Sequence, residues 1–112
     1  MRERERTIAI CEAMIDIAAA LFNVESRQMR QPGRTSQEVA RVRQIAMYVT
    51  HVALGVSQTE IGIGFCRDRT TVLHACQIVE DLRDDGEFDR IVAVVERIAR
   101  AAFGGEAHRA RA

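Results

Sequence analysis

Ser57-Gln58-Thr59-Glu60-Ile61-Gly62-Ile63-Gly64-Phe65-Cys66-Arg67-Asp68-Arg69-Thr70-Thr71-Val72-Leu73-His74-Ala75-Cys76 holds two helix starts separated by one tight turn. Ser57 stands three residues before Glu60, the spacing of a capping box, and Ile61 and Phe65 give the short helix that follows its apolar side. After the turn Phe65-Cys66-Arg67, Asp68 can cap a second helix whose inward side is Val72, Ala75, Cys76 and Val79. That second helix opens with charge, two hydroxyls and an imidazole. Two helices joined this way form a helix-turn-helix, and a second helix polar at its leading edge is shaped to enter a DNA major groove.

Four main helices besides the short one follow from periodicity. Ile8, Cys11, Ile15, Ala18 and Phe22 recur at three and four residues, which predicts an amphipathic first helix from about Thr7. Asn23 and then Pro32-Gly33 break the pattern. Thr35, three before Glu38, predicts the next helix start, and Val39, Val42, Ile45, Ala46, Val49 and Ala53 form its stripe up to a stop at Gly55. The helix that begins at Asp68 is expected to end at Gly86. Phe88, Ile91, Val92, Val95, Ile98 and Ala102 should line a last helix closed by Gly104-Gly105. No strand pattern or internal repeat competes. The expected fold class is therefore all-α: one helical domain over 1–105, a helix-turn-helix at about 57–82, and a disordered tail over 106–112.

A chain of 112 residues allows one domain with a modest core. Charge balances at 16 basic against 16 acidic residues, and every basic residue is arginine, so distribution decides what zero net charge means. Arg27, Arg30, Arg34, Arg41 and Arg43 share their segment with Glu38 alone, whereas the stretch from Glu80 to Asp89 sets six acids against Arg83. This polarity suits local phosphate contact better than general attraction to polyanions. The start Met1-Arg2-Glu3-Arg4-Glu5-Arg6 lacks the apolar run of a signal peptide, and no apolar run approaches the ~20 residues needed to span a bilayer.

Cys11, Cys66 and Cys76 are odd in number and not closely paired, which fits a reducing cytoplasm and buried, small apolar roles. His74 and Cys76, two apart on one helix, point in different directions and cannot easily share a metal, so no metal or cofactor is expected. With no lysine the chain cannot build a P-loop, so no nucleotide is expected either. No nucleophile–base constellation stands out, and an enzyme is not expected.

Ile61-Gly62, Phe65, Arg67-Asp68 and Thr70-Thr71-Val72-Leu73-His74-Ala75 resemble the signature of the C-terminal helix-turn-helix DNA-binding domain of the bacterial replication initiator DnaA. Ala40-Arg41-Val42-Arg43-Gln44-Ile45-Ala46-Met47-Tyr48 is similar to that domain's basic loop and helix, so the resemblance covers roughly residues 20 to 82. Here the domain would stand alone, without the initiator's ATPase. Two departures fall at the DNA-reading edge. The turn Phe65-Cys66-Arg67 is a residue shorter than usual and lacks the usual glycine, and Arg69 stands where the family usually has histidine. The resemblance therefore implies the fold more firmly than it implies the base preference.

With Val72, Cys76 and Val79 turned inward, Thr70, His74 and Gln77 share the outer face, and Arg69 and Thr71 flank it at the N-terminal turn. Arginine can donate a bidentate pair to guanine, threonine methyls can touch thymine, and histidine can pair with purine edges. The resemblance implies base contacts from Asp68, Arg69, Thr70, Thr71 and His74. It also implies an arginine from the Pro32-Gly33-Arg34 loop in the minor groove, with Arg34 chosen and Arg30 second. Arg43 and Gln44 match a family pair that holds phosphate, and Arg41 and Arg67 join that set. Ser57, Gln58 and Thr59, at a helix N-terminus, can offer backbone N–H groups to a phosphate, although Ser57 serves equally well as a plain cap.

Two functions follow as expectations. The first is sequence-specific binding of double-stranded DNA by a cytoplasmic, nucleoid-associated protein that regulates transcription or replication initiation. The second is a protein-interaction module that kept the fold, with the acidic 80–89 segment as its docking face. A monomer is expected, because no heptad seam is sustained.

Overall fold

Six helices follow one another: α1 (Arg2–Phe22), α2 (Ser26–Arg30), α3 (Gln37–Leu54), α4 (Gln58–Phe65), α5 (Arg69–Leu82) and α6 (Gly86–Arg111). The structure, a computed structural model, describes residues 2–111, with side chains described as far as residue 105. Among these residues the architecture is all-α, as the periodicity requires.

α3 is the central helix. α1, α5 and α6 all pack against it, which is why every residue from Ile45 to Thr50 is buried rather than a single stripe. Thr50 tolerates that burial because its hydroxyl donates to the Ala46 carbonyl at 2.7 Å. Gly55 closes the helix in the left-handed region at φ 71°, as expected, and its N–H returns to the carbonyls of Thr50 and His51.

Helix boundaries differ from expectation where side-chain bonds override residue type. α1 begins at Arg2 rather than near Thr7, because a fully solvated first turn shows no apolar period. Glu3 and Glu5 suit its N-terminal dipole, and the Thr7 hydroxyl donates to the Glu3 carbonyl at 2.8 Å. The cap of α3 is Ser36, whose Oγ accepts from the Val39 N–H at 3.2 Å, not Thr35. α2 was not expected at all. At five residues it is too short to show a period, and it buries only Met29.

Gly86 does not stop α5, which ends at Leu82. Gly86 is the first residue of α6, where Asp85 accepts from the Phe88 N–H at 3.0 Å. Gly104 and Gly105 do not close α6 either, since the helix runs to Arg111. The tail expected over 106–112 lies outside the residues whose side chains are described. The inward face of α6 is also rotated from the expected one. Val92, Val95 and Ala99 are buried, whereas Ile91 and Ala102 are exposed.

That face also carries Glu96 inward. It is only 6% exposed, and Arg83 reaches it at 3.0 Å while also holding Asp89 at 2.6 Å and the Tyr48 hydroxyl at 3.2 Å. The Tyr48 hydroxyl in turn donates to Glu80 at 2.6 Å, and the guanidinium of Arg83 lies 5.7 Å from the Tyr48 ring centre. The hydrogen bonds that Arg83 donates to Glu96, Asp89 and Tyr48 raise its pKa against the opposing effect of desolvation. One partly buried ionic cluster thus ties α3, the end of α5 and α6 together. Within the acidic 80–89 segment Glu80 and Asp89 are engaged in this cluster, while Asp81, Asp84, Asp85 and Glu87 are exposed.

Candidate nucleic-acid interface

α4 crosses α1 so closely that glycine is required at the contact: a Cβ at Gly64 would lie 2.5 Å from the Cβ of Cys11 and 2.6 Å from its sulfur. The turn after α4 is equally tight, because a Cβ at Gly62 would meet the Arg67 carbonyl at 2.8 Å. Cys66 ends α4 in the left-handed conformation at φ 56°, doing without Cβ relief what glycine does in most such caps. Its thiol is exposed, contrary to the expectation of buried cysteines, which Cys11 and Cys76 do meet. The Arg67 N–H closes the turn on the Gly62 carbonyl at 2.8 Å.

Asp68 occupies the N-cap position of α5 as expected, but its side chain makes no capping bond and is exposed. Arg69, Thr70, Thr71 and His74 are exposed along the leading edge of α5, while Val72, Ala75, Cys76 and Val79 are buried beneath them. Gln77 is tied to Asp81 at 3.1 Å. Leu73, not singled out from the sequence, is 49% exposed on this helix. Its place between Thr70 and His74 was the available signal, since 70, 73, 74 and 77 share one helical face. An exposed apolar side chain there suits contact with a thymine methyl.

Arg34 is exposed beside Gly33, whose φ of 79° turns the loop between α2 and α3. Arg30 is not free for a groove. It is held by α1, donating to Asp16 at 3.0 Å and to the Glu12 carbonyl at 3.4 Å.

Arg43 differs most from its expected place on a phosphate surface. It is only 7% exposed. Its Nε donates to the Met29 carbonyl at 2.9 Å, and its Nη2 donates to the Gln28 carbonyl at 3.1 Å and to the Thr35 hydroxyl at 3.2 Å. Burial, and then the neighbouring Arg67 cation, lower its pKa. Arg67 also reaches this segment, donating to the Gln31 carbonyl at 2.7 Å and the Met29 carbonyl at 3.4 Å. The turn of the helix-turn-helix is thereby bonded to the loop that carries Arg34. The Arg67 Nε and the Gln44 Oε1 are buried without a hydrogen-bond partner among the described residues.

At the start of α4 the Ser57 Oγ accepts from the Glu60 N–H at 3.2 Å and donates to the Glu60 carboxylate at 3.0 Å, so Ser57 is the N-cap, with Glu60 bonded to its hydroxyl in place of the backbone N–H of a full capping box. Thr59 is exposed. Gln58 is half-buried. Arg41 is half-buried on α3. Among the described residues no three His, Cys, Asp or Glu side chains lie close enough to hold a metal ion, and no helix is long and apolar enough to cross a membrane.

Paired helices, a three-residue turn and an exposed polar leading edge define a helix-turn-helix DNA-binding domain. Residues 11–79 match the family described as the bacterial DnaA protein helix-turn-helix, and the chain belongs to that family. It is also similar to a solved DNA replication initiation factor, at 26% identity and a TM-score of 0.78 over 88% of this chain. The chain spans 30% of the length of that protein chain. No curated protein matches it.

Proposed function

We propose that this protein binds duplex DNA at specific sequences and regulates transcription or replication initiation from the nucleoid. One arrangement carries the reading: the exposed edge Arg69-Thr70-Thr71 with His74, bonded through Arg67 to the loop that presents Arg34. A major-groove reader and a minor-groove arginine held in fixed relation match the way helix-turn-helix proteins with a basic arm engage adjacent grooves. In this reading Asp68, Arg69, Thr70, Thr71 and His74 contact bases, and Arg34 enters the minor groove. Arg41, Ser57, Gln58 and Thr59 line the phosphate path. Arg67, through its remaining guanidinium N–H groups, and Gln44, through its amide N–H groups, join that path. Arg43 acts one step back, by fixing the loop.

The test is fluorescence anisotropy on two labelled duplexes at several salt concentrations, one with an initiator-type AT-rich box and the other with the same bases shuffled. Preference for the box is the expected result. Equal, salt-sensitive binding to both would mean a different site. No binding to either near physiological salt would replace this reading with that of a protein-interaction module.

A further inference from the structure

α5 sorts its side chains by polarity with one exception. Val72, Ala75, Cys76 and Val79 are buried and Ile78 and Leu82 half-buried, but Leu73 is 49% exposed, more than any other large apolar side chain among the described residues. An exposed leucine by itself needs no explanation. This one stands where the helix is otherwise polar. Arg69 precedes it by four positions, Thr70 by three, and Gln77 follows by four, so exposed polar side chains border it along one side of the helix. Leu73 lies about 6 Å along the axis from Arg69, within the first two turns, the part of a recognition helix that reaches base edges. The next turn is differently occupied. Gln77 donates to Asp81 at 3.1 Å, and Glu80 accepts from the Tyr48 hydroxyl at 2.6 Å. Those carboxylates disfavour phosphate and end the reading edge just beyond Leu73.

We propose that Leu73 is a specificity-determining residue that buries the 5-methyl group of a thymine, so that one position of the recognised site is selected by apolar contact. Among the groups that base pairs show in the major groove, the thymine methyl is the one an aliphatic side chain can bury with gain. Set against a donor or an acceptor, Leu73 would strip water from it and leave it unpaired. The methyls of Thr70 and Thr71 come with hydroxyls that serve donors and acceptors alike, so they select less sharply than leucine. The inference rests on the proposed DNA reading and deepens it, adding an apolar criterion to the positions that Arg69 and His74 select by hydrogen bonding.

The test uses the duplex that the full chain enriches from a random-sequence pool, with each thymine replaced in turn by deoxyuridine, which removes only the 5-methyl. At one position the parent protein should lose about fourfold in affinity, the worth of one buried methyl. Leu73→Ala, at an exposed position, should keep the melting temperature and bind the unmodified duplex at least about fourfold more weakly. Its affinity should then be indifferent to deoxyuridine at that same position, a coupling that misfolding cannot mimic. Thr70→Ser, which deletes the neighbouring methyl, should leave the deoxyuridine effect in place. Enrichment of a site that tolerates every deoxyuridine would overturn this inference and leave the DNA reading standing. So would a Leu73→Ala variant as sensitive to deoxyuridine as the parent, or loss of that sensitivity in Thr70→Ser. Failure to enrich any sequence would overturn the DNA reading and this inference with it.

Discussion

Arg43 and Arg67 donate to one and the same acceptor, the carbonyl oxygen of Met29, at 2.9 and 3.4 Å. Two guanidiniums share the end of α2, and among the described residues neither is ion-paired with a carboxylate. The last carbonyls of a helix carry partial negative charge and offset part of the repulsion. One arginine comes from α3 and the other from the helix-turn-helix turn, so the Arg34 loop is built into the reading unit instead of trailing from it.

Arg43→Ala should therefore act first on the fold. Losing its bonds to Met29, Gln28 and Thr35 is expected to lower stability by about 1.5–3 kcal/mol and to weaken specific and random DNA alike through a loosened loop. Arg43→Lys should recover little, because an ammonium cannot reproduce the fork. Urea denaturation checks this, and an unchanged midpoint would remove Arg43 from its clamping role.

Arg69→Ala and His74→Ala should leave stability near that of the parent, since both side chains are exposed. Each is expected to cost about 1–3 kcal/mol on the preferred DNA site and to relax selection at one base position. Competition binding against single-base variants of the site measures this. A uniform loss on all sequences would reassign the residue to phosphate contact.

Arg83→Ala should be among the most damaging substitutions remote from the interface. It strands the nearly buried Glu96 carboxylate, and breaking a buried pair costs about 3–5 kcal/mol. Thermal melts of both proteins measure the deficit, and an unchanged melting temperature would contradict the pairing of Arg83 with Glu96.

Cys11 predicts behaviour at the alkaline end. Burial, then the Glu60 and Glu12 carboxylates, push its thiol from an ordinary 9.0 up to about 12. A raised pKa means that the stabilisation is complete below pH 9.0 and is lost as pH climbs toward 12. Thiol labelling near neutrality should modify exposed Cys66 quickly, while buried Cys11 and Cys76 react only on unfolding. Rapid labelling of all three would contradict the packing of α1 on α4.

Gly64→Ala tests that packing directly. Its new methyl would collide with Cys11, at an expected cost of about 1–3 kcal/mol, readable as a lower melting temperature. Val72→Ala, at a fully buried position of α5, should also destabilise.

Local chemistry made much of the molecule legible in its sequence. The Ser57 cap of α4, the stop at Gly55 and the inward set Val72, Ala75, Cys76 and Val79 are each decided by neighbours within one or two turns, and each stands as read. The exposure of Arg69, Thr70, Thr71 and His74 follows from the same helical phase. Tertiary structure decided what depends on partners distant in the chain. Arg43 looks like a surface cation until the carbonyls of Gln28 and Met29 are brought to it, and Arg30 looks free until α1 supplies Asp16. Glu96 reads as solvated until Arg83, thirteen positions earlier, makes its burial tolerable. A charged side chain carries no local mark of whether it will find a partner. Burial of charge is settled by long-range pairing, while helix phase and caps are settled within a turn.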